Sequence, residues 1–329
     1  MNKLIIQAAG LLLSAAGALA WDYEGHRLVN QLALASLPTN FPAFVKEPAA
    51  AERITFLSGE PDRWRNTTDL MLKHFNNPDH YIDFEEVALC SLKPETLTPF
   101  RYKFVRQVAA ARTAHPTNFP SIDPAKDAEH TKALVGYLPW TIAEYYGKLK
   151  SGFSYLKAFE EGGTPEEVKN ARENILYIMG CMGHFVGDGS QPLHTTIHYN
   201  GWVGENPNGY STNRTFHSWI DGGFIARAGL KPGSVMPKAR PANVVDTNIF
   251  PAIVAYLHAQ FALVEPLYQL EKDGKLSAKN PSPEGIEFIH TQILKAGQML
   301  GDLWYTAWHY ATPDNYLRGQ LAKRKLDKQ

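Results

Sequence analysis

Only two cysteines, Cys90 and Cys181, occur in 329 residues, which excludes a disulfide-rich scaffold and leaves open whether the two pair with each other. Neither charge is in surplus, with 33 Lys and Arg facing 33 Asp and Glu. A protein that grips duplex DNA by its phosphates carries a basic surface instead, so any nucleic-acid contact has to be local to a site. Alternating apolar and polar runs are almost missing, which speaks against a sheet and predicts an all-α fold. Gly/Ser linkers, charge blocks and internal repeats are absent as well, so one mainly helical domain is expected over residues 21–329.

Long apolar runs are confined to the start. In MNKLIIQAAGLLLSAAGALA, Lys3 precedes an apolar stretch, and Ala18-Leu19-Ala20 offers a small-residue cleavage site. Residues 1–20 therefore read as a signal peptide, and the product is expected to be secreted or periplasmic, with no integral membrane span later in the chain. Cleavage removes Lys3, leaves 32 basic against 33 acidic side chains and makes Trp21 the new N-terminus. No protein partner is evident.

What is present is helical punctuation. Thr164-Pro165-Glu166-Glu167 has the form of a capping box with proline at the first helical position. The apolar set Val168, Ile175, Ile178, Met179, Met182, Phe185 and Val186 follows at helical spacing, and Gly187 and Gly189 mark the end. Ser282-Pro283 opens another helix. Further helices are expected over about 23–36, 100–113, 138–160, 214–227 and 243–271, the last kinked or divided by Pro251 and Pro266. The basic end from Leu317 onwards reads as a solvated tail.

Four of the twelve histidines, His184, His194, His198 and His217, fall within 34 residues. His184 and Asp188 stand four apart on the helix from Pro165 and share a face, roughly opposite its apolar stripe. FHSWID repeats the spacing with His217 and Asp221, beside an apolar edge of Phe216, Ile220 and Phe224. Between the pairs, the turn Gln191-Pro192-Leu193-His194 offers one more imidazole. One His-x3-Asp pair is more often a surface hydrogen bond than a metal site. Two pairs with a histidine between them tilt the balance towards a metal, and mixed imidazole and carboxylate ligands are those zinc accepts. His198 reads as a loop residue. Upstream, Asp62 in EPDRW also suits a turn cap after Pro61, and His80 in PDHYID also suits a satisfied core histidine. At the mature terminus, a free Trp21 amine and its carbonyl oxygen can chelate a metal with His26 about a turn and a half further on; the plainer reading is a core tryptophan and a surface histidine.

Together these pieces, from Trp21 to Asp221, resemble the trinuclear zinc nucleases of the S-one/P-one type, whose helical fold is shared with zinc-dependent bacterial phospholipase C. The resemblance implies three Zn2+ ions. One would sit on Asp62, His80, His184 and Asp188, a second on the Trp21 amine and carbonyl, His26 and a bridging Asp188, and a third on His194, His217 and Asp221. It also implies hydrolysis of single-stranded DNA or RNA to 5′-phosphate products, and a 3′-nucleotidase activity that releases phosphate from 3′-mononucleotides, with Asp62 orienting the attacking water, Tyr81 stacking on a base and Asp83 hydrogen-bonding it.

Two departures stand out. The nucleases usually place an asparagine after the last ligand aspartate, where this chain has Gly222, and they commonly carry two disulfides. Cys181 reads as a buried thiol, a disulfide partner or a neighbour of the metals. Asn66-Thr67-Thr68 and Asn213-Arg214-Thr215 are glycosylation sequons. Against the nuclease expectation stand a zinc-dependent phospholipase C or other phosphoesterase acting on phospholipid, and a non-catalytic zinc-binding protein.

Overall fold

The computed structural model describes residues 21–327. Residues 1–20, expected to be a signal peptide, lie outside the described residues. Within them the chain is all-α: there is no strand, only an isolated bridge between Tyr199 and Gly201. Helix α1 (Tyr23–Ser36) is followed by α2 (Pro48–Leu57) and the short α3 (Glu60–Arg65). The two long central helices are α4 (Leu138–Gly162) and α5 (Pro165–Asp188), and α6 (Ile249–Phe261), α7 (Val264–Lys272), α8 (Pro283–Tyr310) and α9 (Asn315–Leu326) close the chain.

Helix α5 is the axis of the fold. Both halves of the capping box form: the Thr164 hydroxyl accepts from Glu167 N at 3.2 Å, and Glu167 Oε2 accepts from Thr164 N at 2.7 Å. Helices α1, α2, α4 and α8 all pack on it. Its C-terminal half is consequently buried on every side, from Met179 to Asp188, so the polar face carrying His184 and Asp188 lies inside the protein. Gly183 makes room for Asn30 of α1, since a Cβ there would lie 1.6 Å from Asn30 Oδ1. Asn30 Nδ2 in turn donates to the carbonyls of Ile54 (2.8 Å) and Gly180 (3.2 Å), tying α1, α2 and α5 together.

Three expectations need correction. The stretch 214–227 is not one helix: a single turn at Phe216–Ser218 passes into a π-helical turn at Trp219–Phe224 and then Ile225–Ala228. The 243–271 stretch divides at Ala262–Leu263, before Pro266, and both prolines sit in first turns, where a missing N–H breaks no helical bond. Ile249–Lys272 does have the length and apolarity of a membrane span, the sole such segment among the described residues, but it is two helices and buries Phe250, Ile253, Leu257, Leu267 and Tyr268 in the core. The basic end is helical, because Asp314 caps α9 and Arg324 forks onto Glu167 at 2.7 and 2.9 Å. Cys90 and Cys181 are separate buried thiols. Burial pushes the Cys181 thiol up to about 12, so it stays protonated at neutral pH.

Candidate metal centre

Five segments bring their side chains to one basin: α1 with His26, α3 with Asp62, the turn Asn77–His80, the end of α5 with His184 and Asp188, and the turn Pro192–Thr195 with His194. The π-turn region adds His217 and Asp221. Three groups of potential ligand atoms result, each within 4.8 Å: His26, His184 and Asp188; Asp62, His80 and His184; His194, His217 and Asp221. Every one of these residues is buried.

Asp188 stands between the first two groups. Its Oδ2 lies 2.9 Å from His80 Nδ1 and 3.4 Å from His184 Nε2, while Oδ1 faces His26 Nε2 at 3.5 Å. The two carboxylate oxygens thus address different histidines, the arrangement a bridging ligand requires. His184 Nε2 is 3.0 Å from His80 Nδ1 and 3.8 Å from Asp62 Oδ1. In the third group, His217 Nε2 lies 3.0 Å from His194 Nε2 and 2.7 Å from Asp221 Oδ2.

These atoms fit divalent cations by three criteria. Ligand bonds of about 2.0–2.1 Å in tetrahedral array put donor atoms about 3.3 Å apart, and the separations above bracket that value. His184 Nδ1 lies 2.7 Å from the Ser58 carbonyl and His194 Nδ1 2.6 Å from the His80 carbonyl. A carbonyl only accepts, so both Nδ1 atoms carry the proton and both Nε2 lone pairs point into the basin, as metal-binding imidazoles are commonly oriented. Finally, Asp188 Oδ1 and His217 Nδ1 are buried without a hydrogen bond, which is costly in a core that has no other use for them.

The electrostatics of the basin follow from burial. Desolvation first, then the nearby Arg65 charge, hold His80 and His184 well below the ordinary imidazole range. Burial lowers His194 and His217 to about 3, so both are neutral and their lone pairs are free for a cation. Asp188 is pushed well above the carboxylate range and Asp221 up to about 7, again mainly by burial. Cations supply the counter-charge that would return both to carboxylates.

Trp21 is wholly buried, and its indole Nε1 donates to Gly187 O at 2.8 Å and lies 3.1 Å from Ser190 Oγ. The next residue donates from Asp22 N to Asp221 O at 3.0 Å. Trp21 and Asp22 are therefore pinned between the ends of two ligand-bearing segments. His198 belongs to none of the three groups: its ring stacks on Trp202 at 3.8 Å.

A cavity of about 530 Å³ opens beside the third group and is lined by Arg65, Tyr81, Asp83, His194, Tyr199 and His217 among others. Asp83 is pushed well above the carboxylate range by burial and by Glu85 and Glu86. Gly222 does not line the cavity. A Cβ there would meet Asp22 Oδ2 at 2.6 Å, so this position is shaped by the first turn of α1.

Sequence reasoning missed two neighbours of the ligands. Arg65 stands three residues after Asp62 on α3 and places its Nε 2.8 Å from Asp62 Oδ1; the i,i+3 spacing was the available signal. Gln191 donates from Nε2 to Asp221 Oδ1 at 2.5 Å and accepts from Leu193 N at 2.8 Å, joining the turn to the π-turn. Comparison with known protein families, with curated proteins and with solved structures finds no match for this chain.

Proposed function

We propose that this chain is an exported zinc-dependent phosphodiesterase that hydrolyses single-stranded DNA and RNA to 5′-phosphate products, with 3′-mononucleotides as further substrates. The observation that carries the reading is the geometry of Asp188, whose two oxygens face separate histidine sets in a buried basin beside an aromatic-walled cavity. Bound zinc would supply Lewis acidity for the charge that develops on a phosphate ester and lower the pKa of a water towards ~7. The chain's own groups prepare the rest. Neutral imidazoles keep their lone pairs for the cation, and Ser58 and His80 carbonyls hold two of the rings in orientation. Asp62, aligned by Arg65, is the carboxylate suited to orient a water, and the Arg65 guanidinium at the cavity wall offers donors to phosphate oxygens. Tyr81 presents a flat ring for an unpaired base, with Asp83 beside it for a hydrogen bond.

A structural zinc site closes its coordination with four protein ligands, whereas the third group gathers three and adjoins the cavity, which favours an open, reactive site. One observation favours a second reading, a phospholipase C-like phosphoesterase: Leu89 and Tyr199, both lining the cavity, stand exposed at its rim. The test of both is a substrate panel of single-stranded DNA, RNA, 3′-mononucleotides and phosphatidylcholine, run on mature protein with and without chelator. Hydrolysis of the nucleic acids that chelation abolishes and zinc restores is expected. Diacylglycerol release without nuclease activity would install the second reading, and no zinc-dependent hydrolysis of any substrate would remove both.

A further inference from the structure

The short helix Leu70–Asn76 contains no buried residue. Its Leu70, Met71, Leu72 and Phe75 are 49, 71, 37 and 64% exposed. Asp69 caps its start, Oδ1 accepting from Met71 N (2.9 Å) and Leu72 N (3.0 Å). A polar group ties the helix to the protein: His74 Nδ1 lies 2.8 Å from the Glu129 carbonyl, and Lys73 lines the cavity. Met71 and Phe75, one turn apart, share a face with Leu72 alongside, so this helix turns its apolar side to solvent, the reverse of an ordinary surface helix. Contiguous exposed apolar area of this kind marks an interaction surface.

We propose that this helix seats the protein on a lipid surface, with Met71, Leu72 and Phe75 entering the boundary between headgroups and acyl chains. Composition favours that occupant over single-stranded nucleic acid, because stacking needs flat rings and only Phe75 of the four offers one. Size disfavours a second copy of the chain: four partly exposed apolar side chains on one seven-residue helix offer well under the ~800 Å² per partner of a stable interface. A lipid surface needs no matching shape and takes up apolar side chains in proportion to their area. The position of the helix gives the contact a purpose. Arg65 and Asn66 before it, and Lys73 and Asn77 within and after it, line the cavity that reaches His194 and His217, so a lipid-seated molecule holds its cavity mouth at the interface. The rim carries cations in Lys73 and Lys132 beside the acidic Glu129, so apolar insertion rather than net charge is the driving term.

The inference goes beyond the phosphodiesterase reading, since lipid binding is read without turnover. Zinc-loaded mature protein is sedimented with vesicles of phosphatidylcholine, and of phosphatidylcholine with an equal part of phosphatidylserine. Wild type is expected to partition onto both, the double variant Met71→Glu/Phe75→Glu to lose on the order of tenfold or more in partitioning, and Tyr316→Glu, an exposed aromatic on α9, to behave as wild type. Phe75→Trp provides a readout that keeps the helix apolar: its emission should shift to the blue on vesicle addition and be quenched by brominated lipid. Wild type remaining in the supernatant overturns the proposal, as does a Phe75→Trp indole that stays in water. A double variant that keeps its vesicle binding but loses affinity for a single-stranded oligonucleotide overturns it in favour of nucleic acid, and one that converts a dimer to monomers overturns it in favour of self-association.

Discussion

Asp188 lies between two of the three ligand groups, with Oδ1 facing His26 and Oδ2 facing His80 and His184. The isosteric substitution Asp188→Asn keeps the volume and removes the charge that both cations need. Zinc per chain should therefore fall by more than one equivalent, whereas His198→Ala, which removes a ring stacked on Trp202, should leave it unchanged. Metal analysis of the two purified variants checks this, and a larger loss in the His198 variant would overturn the ligand assignment. Asp221 sets the pH dependence of the third group. Its folded pKa stands at about 7, raised by burial, while His194 and His217 stand at about 3. At pH 6 the carboxyl thus still holds a proton and the imidazoles hold none, so a cation must displace the proton from Asp221. Loading this group should release a proton from the carboxyl, and its zinc affinity should fall as pH drops through about 7. Calorimetry in buffers of different ionisation enthalpy counts that proton; release that instead tracks the ordinary imidazole value of ~6.5 would place it on a histidine.

At the scale of elements, α5 does most of the positioning, and its two ends are separable. Thr164→Ala removes the cap at the exposed end and should cost about 1 kcal/mol of stability without changing zinc content. Gly183→Ala, at the inner end, places a methyl against the side chain of Asn30 and should cost about 1–3 kcal/mol, with Asn30's bonds to Ile54 and Gly180 disturbed. Denaturant unfolding of both variants beside wild type measures the difference, and equal stability of the two would argue against the close approach of α1 and α5. The start, cap and end of α5 were legible in the sequence because they are local: Thr164, Pro165, Glu167 and the glycines act within a few residues of themselves. The His-x3-Asp pairs were legible for the same reason. The π-turn at Trp219–Phe224 was not, since the same residues at the same spacing suit an α-helix and only packing decides. Helix α9 escaped notice because its anchors, Glu161 and Glu167, lie 157 residues away in sequence from Arg318 and Arg324. Arg65 and Gln191 gain their roles only once Asp62 and Asp221 have been brought beside them.

At the scale of the whole molecule, Trp21 and Asp22 are a structural part of the basin. Trp21 is locked by its indole to the last turn of α5, and Asp22 N bonds the carbonyl of Asp221, so these two residues bind both segments that carry the paired ligands. His26, one and a half turns along α1, faces Asp188 from the same side. A free amine at Trp21 would add a donor to the His26 and Asp188 group, and a peptide nitrogen cannot, because its lone pair is delocalised into the amide. Cleavage before Trp21, if residues 1–20 are a signal peptide, would then complete the centre. A preparation carrying even one residue before Trp21 should hold one zinc fewer than the three groups accommodate, with the His194, His217 and Asp221 group still filled. Zinc analysis of matched preparations with and without the extra residue, together with their thermal stabilities, decides it. An extended protein with the full complement of zinc would show that the terminal amine takes no part, and would leave His26 and Asp188 to hold their cation without it.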